Sequence, residues 1–299
     1  MGGGGEAHRA QYLPGDPRLP DERPTSKLLA PLRVEGARGV VVAVVSTIVV
    51  IGVLIWLVVR SENWPAVREF FFSAEEFRDT FPEIAQKFLR NVLYFMVAEP
   101  IILALALLIA VMRSLSGPVF FPIRVMAIVY TDFFRGIPTV LVVYILGFGV
   151  PQLGLPGVPT DPAFWAVVAL VLSYSAYVSE VYRAGIDSVH PSQVAAARSL
   201  GLGRWHSLRY VVIPQAVRRV IPPLLNDFVA LQKDTALIAF VVAVPEAFKM
   251  AQIQKDADFN YTPLLAAALM FLIVTVPLTR TVDWLIGRER RRRQAEGTA

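Results

Sequence analysis

Ionisable side chains are sparse in this sequence and several fall where apolar surroundings make them costly. Glu180, Arg183, Asp227, Lys233 and Asp234 lie within or beside uncharged runs, with Glu99, Asp132 and Arg135 close behind. A charge withdrawn from water needs a partner, so such groups either line a polar path or pair with one another. On the first alternative, Lys or Arg would hold a carboxylate and Asp or Glu an ammonium group, with Asn226, Gln232 and Thr235 adding neutral donors and acceptors. On the second, Lys233–Asp234 and Glu180–Arg183 pair internally and hold broken helices together. Both stand at this point. Other chemistries are narrower. There are no cysteines and three histidines, which excludes disulfides, Cys-based zinc sites and thiol catalysis. His190 and His206 fall in a polar loop and His8 near the start of the chain, positions that suit exposure or local capping better than acid–base work. No glycine-rich loop ends in Gly-Lys-Ser/Thr, so ATP hydrolysis is not expected of this chain; no catalytic constellation stands out, so catalysis is not expected either, and no metal site is expected.

The elements that position these residues follow from composition. The 299 residues are 55% apolar and 18% charged, too apolar for one soluble globule. A net charge of +5 would suit nucleic acid, but the basic residues gather at the ends of long uncharged runs, which is a membrane pattern. Residues 39–59 carry no charge and, at 1.5 Å per helical residue, slightly exceed the roughly 30 Å hydrocarbon core. Further spans are expected over 88–112, interrupted by Glu99-Pro100, over 125–149, over 163–182, between 221 and 244, and over 261–279 with the helix continuing through Trp284. The fold class is therefore all-α and polytopic, with about six transmembrane helices. An even number places both termini on one side. The Arg288–Arg293 tail and the loop arginines Arg183, Arg198, Arg204, Arg209, Arg218 and Arg219 then share a face, read as cytoplasmic, while Glu62, Glu69, Glu75, Glu76 and Asp79 fall on the other. Residues 1–38 lack apolar periodicity and are expected to be a disordered tail. Residues 60–87 are an external linker or a short interfacial helix, and 287–299 a basic tail.

The polar stretch 183–215 is too charged to cross lipid. Ser192 is expected to cap a short helix through Ala195-Ala196-Ala197 and Arg198, which Gly201 ends in a left-handed conformation; a second turn follows from Arg204. The result is a small helical knob showing Leu200, Leu202 and Trp205, suited either to docking in another protein's groove or to packing on its own bundle. Gly201, Gly203 and Pro214 separate the short helical patterns of this stretch, and Pro222-Pro223 is expected to open the fifth span. Pro222 and Pro223, with the polar cluster beyond them, predict a discontinuous fifth span, and broken helices often create ligand sites from freed backbone groups. At Arg135-Gly136-Ile137-Pro138 the expected role is geometric: Gly136 allows close approach and Pro138 fixes a turn.

The segment Ala195-Ala196-Ala197, three residues, Gly201, nine residues, then Val211-Val212-Ile213-Pro214 resembles the cytoplasmic signature loop of ATP-binding-cassette importer permeases. More narrowly the chain resembles the polar amino acid permeases, which serve histidine, glutamine, glutamate, arginine and related solutes. Matching pieces are Arg135–Thr139, Ala176–Ile186, Pro214–Arg218, Pro222–Asn226 and Leu231–Leu237. The resemblance covers roughly 88–286. It implies a five-helix permease core preceded by one added span, on a bacterial cytoplasmic membrane. It further implies an ATP-binding subunit gripping residues 192–210, a second identical or homologous permease, an external solute-binding protein and a polar amino acid as cargo. ATP and Mg2+ are then expected on the partner subunit, and membrane lipid rather than nucleic acid around the chain. One departure stands out. The family usually carries glutamate at the position of Ala195, which, with Ser192 as the cap, would be N3 of a capping box. The rival readings are a secondary amino acid transporter and a non-transporting membrane scaffold.

Overall fold

The computed structural model describes residues 37–115, 117–241 and 245–296, and all of the regular structure there is helical. The expected tail, 1–38, lies almost wholly outside them. The chain divides into two compact units, 1–64 and 65–299. In the first, α1 (Ala37–Val59) is apolar on every face, with a mean hydropathy of 3.0 over its span, as a helix surrounded by lipid requires.

In the second unit, α2 (Trp64–Phe71) is a short amphipathic helix and α3 (Ala74–Ser114) runs unbroken for 41 residues, past the expected start at 88 and through Pro82 and Pro100. Ser73 caps α3 by accepting the Glu76 N–H at 3.2 Å. One stripe of α3 is buried throughout: Thr80, Ile84, Phe88, Asn91, Phe95, Ala98, Ile102, Ala106 and Ile109 recur every three or four residues. The opposite face, with Leu89, Leu93, Met96, Leu107, Leu108 and Val111, is exposed and suits lipid. The buried stripe packs chiefly on α7 (Pro162–Asp187), where Ala163, Ala166, Ala169 and Ala176 let the backbones approach.

Between α3 and α7 the expected third span is two pieces. A helix α4 (Phe121–Gly136) is followed by α5 (Thr139–Tyr144), a π-turn and α6 (Val150–Gln152), and the two runs are bent by 101°. Pro138 causes the bend: it pushes Ile137 to φ −108°, ψ 131°, out of the helical region, and itself serves as the N-cap of α5. The expectation of close approach at Gly136 is not met, since a Cβ there would touch nothing within 4 Å. The tight glycines are Gly147, where a Cβ would fall 2.8 Å from Val241 Cγ2, and Gly185, where it would overlap Val220 Cγ1.

After α7 come α8 (Pro191–Ser199), α9 (Arg204–Ser207), a π-turn over Leu208–Val212 and α10 (Ile213–Asp234). Here the expected break at Pro222-Pro223 is wrong. α10 is continuous through both prolines, and the carbonyls their missing N–H groups release belong to Arg218 and Arg219, in an exposed part of the helix. The discontinuity comes later, where α10 tightens into a 3-10 turn over Thr235–Phe240. Two helices complete the fold, α11 (Ala247–Asp258) and α12 (Thr262–Glu296), so the expected basic tail from 287 onward is helical to Glu296.

Among the described residues, four helical segments are long and apolar enough to cross a membrane: Gly39–Val59, Trp64–Ser114, Pro162–Asp187 and Thr262–Arg288. The bent pair raises the number to five if it counts as one span. α10 does not qualify by composition.

Candidate functional site

The knob is built from α8 and α9. Its N-cap is His190 rather than Ser192: His190 Nδ1 accepts the Ser192 N–H at 3.2 Å and lies 2.7 Å from the Ser192 hydroxyl, while Pro191 takes N1. Ala195 is therefore the fifth helical residue, not N3, so a glutamate there would not complete a capping box. Gly201 ends the helix at φ +83°, with its N–H bonded to the Arg198 carbonyl and the Leu202 N–H to that of Ala197, a Schellman closure. Val189, Val212 and Ala216, with Val194 packed on them, form a small core that fastens α8 to the end of α7 and the start of α10. Pro214 stands in the first turn of α10, directly after the π-turn over Leu208–Val212. Ala197 is buried and Leu202 half-buried, whereas Ala195, Ala196 and Arg198 are exposed. Leu200 at 85% and Trp205 at 64% are among the most exposed apolar side chains of the chain. Clefts of about 520 and 460 Å³ flank α8; Val194, Arg198 and Val212 line both.

At the knob's base sits an ionic node. The Glu180 carboxylate receives Arg113 from α3, Arg183 at 2.8 and 3.1 Å, and Arg135 from α4 at 3.7 Å. Arg183 also holds Asp187 at 2.9 Å. Three helices thus converge on one carboxylate, and Arg135 anchors the Gly136–Pro138 bend to α7 through it. The expected Glu180–Arg183 pair is present. The expected Lys233–Asp234 pair is not: Lys233 is exposed with no ion pair among the described residues, and Asp234 instead accepts the Tyr174 hydroxyl at 2.8 Å. Their side chains point apart because adjacent residues on a helix do not share a face.

Deeper between α3, α7 and α10 lies an acidic stretch. Glu99 and Asp227 are half-buried and within electrostatic range of each other, and one Asp227 oxygen is buried without a hydrogen-bond partner among the described residues. Asn226 is exposed beside them. Thr235, fully buried, belongs to a different cluster. Asn91 Nδ2 donates to Thr235 Oγ1 at 3.2 Å and to Glu246 Oε2 at 2.7 Å, and Asn91 Oδ1 accepts the Ala247 N–H. Glu246 caps α11 by accepting the N–H groups of Phe248 and Lys249 at 3.0 and 2.7 Å. Burial raises its carboxyl above the ordinary range, against the pull of those donors. Gln232, buried beside Thr235, accepts from Thr275 at 3.1 Å and so ties α10 to α12.

Sequence reasoning passed over Asn91, Tyr174 and Glu246. Asn91 was visible as a polar residue on the apolar stripe 84, 88, 91, 95, 98; Glu246 carried no such signal, because its partners are 155 residues away or on its own turn. Among the described residues no group of three or more His, Cys, Asp or Glu is placed to hold a metal ion.

These helices and the knob, spanning α3 to α12, are the part of the chain that known proteins share. Residues 80–291 match the family described as "Binding-protein-dependent transport system inner membrane component". The chain belongs to that family. It is a non-catalytic, multi-pass permease subunit of the inner membrane. Among its relatives, the probable glutamine ABC transporter permease protein GlnM of Bacillus subtilis is 31% identical over 207 residues, 69% of this chain and 93% of GlnM. The probable amino-acid ABC transporter permease protein PatM of Vibrio harveyi is 34% identical over 183 residues, 61% of this chain and 80% of PatM. The crystal structure of an amino acid ABC transporter with histidines superposes at a TM-score of 0.63 with 30% identity, covering 69% of this permease and 94% of that chain.

Proposed function

We propose that this permease carries polar amino acids inward, in a complex with a second permease, two ATP-binding subunits and an external solute-binding protein. The observation that supports this most directly is the knob over 191–207. It is capped at both ends of α8, has an apolar tip and is fastened at its base to both α7 and α10, so a pull on the tip reaches two core helices. ATP-driven closure of the partner subunits draws two such knobs together and favours the outward-facing state; hydrolysis, on the partner's ATP and Mg2+, resets them. Ser192, Ala195, Ala196, Arg198, Leu200, Gly201 and Trp205 form or shape the contact, with Ala197 and Leu202 behind them.

The path runs beside α10. Its sparse apolar surface suits a helix lining a polar route rather than facing lipid, and it is the fifth of the six spans, counting α1 and the bent pair. Asn226, Asp227 and Lys233 face this route, while Arg135, Gly136, Pro138, Pro222 and Pro223 shape its walls. Glu180, Arg183, Asp234 and Thr235 hold helices together. With six spans both termini are cytoplasmic, on the side of the knob and its arginines, and the acidic end with α2 and α11 is outside. The domain plan is then 1–38 as tail, 39–59 as added span, 60–87 as external linker, 88–286 as core and 287–299 as basic end.

Purification from native membrane in mild detergent, followed by mass spectrometric stoichiometry, tests this reading. One ATP-binding subunit per permease chain is expected. Folded permease that repeatedly emerges alone after gentle crosslinking would favour a secondary transporter or a scaffold.

A further inference from the structure

The knob's electrostatics are one-sided. Residues 188–226 contain five arginines and no aspartate or glutamate. Asp187, at the lip of the larger cleft, is already held by Arg183. Arg209 and Arg219 have local company: Arg209 lies 5.9 Å over the Tyr210 ring, Arg219 donates to the Ser188 carbonyl, and Arg218 is likewise not free. Arg198 and Arg204 are exposed, and their guanidinium groups make neither a hydrogen bond nor an ion pair among the described residues. Arg198 stands on the ridge between the two clefts and lines both, while Arg204 lines the smaller. Ala195 presents only a methyl group to the larger cleft.

A partner that covers this ridge removes the Arg198 guanidinium from water, and an uncompensated cation in such a contact is strongly unfavourable. The knob itself supplies no carboxylate. We infer that the ATP-binding subunit that docks here carries an acidic groove, with a carboxylate facing Arg198 and a second negative group toward Arg204, flanked by apolar side chains that enter the two clefts. This inference rests on the reading that residues 191–207 are the docking site. A protein groove is favoured over an anionic lipid surface because the arginines sit between shaped clefts and beside the projecting Leu200 and Trp205, features a fluid headgroup layer does not match. The contact therefore selects its ATPase by charge: a partner whose groove is basic is excluded by Arg198 and Arg204.

The test uses the permease complex in phosphatidylcholine nanodiscs and the ATP-binding subunit that co-purifies with it, stripped and rebound to measure Kd. Arg198→Glu weakens rebinding by at least about tenfold, and raising NaCl releases the subunit. The decisive variant is Ala195→Glu, which places a carboxylate in the same cleft. It weakens rebinding more than Ala195→Gln does, because the partner's groove is already negative. Tighter rebinding of Ala195→Glu than of Ala195→Gln, or indifference to both Arg198→Glu and salt, overturns the acidic groove. Rebinding that appears only when phosphatidylglycerol is added, and is lost with Arg198→Glu, assigns the arginines to lipid and overturns it as well. Gly201→Val separates this inference from the reading beneath it. If it leaves rebinding unchanged, the knob is not the docking site; if it weakens rebinding while the charge variants do not, docking stands and the acidic groove alone fails.

Discussion

Gly185→Ala should pull apart the base of the knob, and its cost is calculable. A Cβ at 185 overlaps Val220 Cγ1 and comes within 3.4 Å of the Ala216 carbonyl oxygen, so α7 and α10 must separate or Val220 must leave its rotamer. Overpacking of this kind costs about 1–3 kcal/mol, and overlap with a β-branched side chain on a helix belongs at the upper end. Against it, Ala is favoured over Gly in a helix by about 1 kcal/mol. The expected net destabilisation is therefore about 2 kcal/mol, at roughly 2–4 °C of Tm per kcal/mol for a chain of this size. In a Val220→Ala background the overlap disappears and the same substitution should stabilise by up to about 1 kcal/mol. The coupling between the two sites is thus about 3 kcal/mol, and the effect changes sign. Thermal unfolding of the detergent-purified complex for the four members of this cycle measures it. A neutral or stabilising Gly185→Ala in the native background, or strict additivity, would refute the claim that these helices touch through this glycine.

Other substitutions probe the remaining joints. Glu246→Ala leaves two half-buried N–H groups of α11 without acceptors and the Asn91 amide with only Thr235 to donate to, at about 1–3 kcal/mol for each orphaned group, so chemical denaturation should show one of the largest losses in the chain. Glu180→Gln removes the charge that three arginines share and should lower stability by roughly 1–3 kcal/mol, less than a fully buried pair because both Glu180 and Arg113 keep some exposure, at 17% and 14%. Pro138→Ala frees Ile137 to turn helical, so the distance between spin labels at positions 126 and 148 should lengthen as the 101° bend relaxes; an unchanged distance would place the cause of the bend elsewhere.

The sequence carried the long apolar elements and the knob because those depend on local pattern. Charge-free runs mark α1 and α12, alternating three- and four-residue spacing marks α3, and Gly201 marks the end of α8 by the one conformation that glycine tolerates best. Errors arose wherever a local rule met a tertiary override. Two adjacent prolines argued for a break in α10, yet the carbonyls they release face outward and the helix persists. Ser192 is a better cap than His190 by general preference, but Pro191 suits the first helical position and moves the cap back to residue 190. Gly136 and Gly185 are indistinguishable by type; only the approach of α10 makes the second one tight. The candidate path residues were divided in the same way. Asp227 and Lys233 lie on the helix that leads into Thr235, but of the three only Thr235 enters the buried Asn91–Glu246 cluster, a contact 144 residues apart in sequence that no spacing reveals.

Uptake of a labelled polar amino acid into proteoliposomes tests the central claim most directly, with the permease reconstituted alongside its co-purifying ATP-binding subunit and solute-binding protein. Transport should require ATP on the knob side. In Gly201→Val, where the left-handed residue closing the knob is replaced at a cost of roughly 1–2 kcal/mol, transport should collapse while the permease remains inserted and folded. Uptake driven by an ion gradient through the permease alone, undiminished by Gly201→Val, would contradict the account.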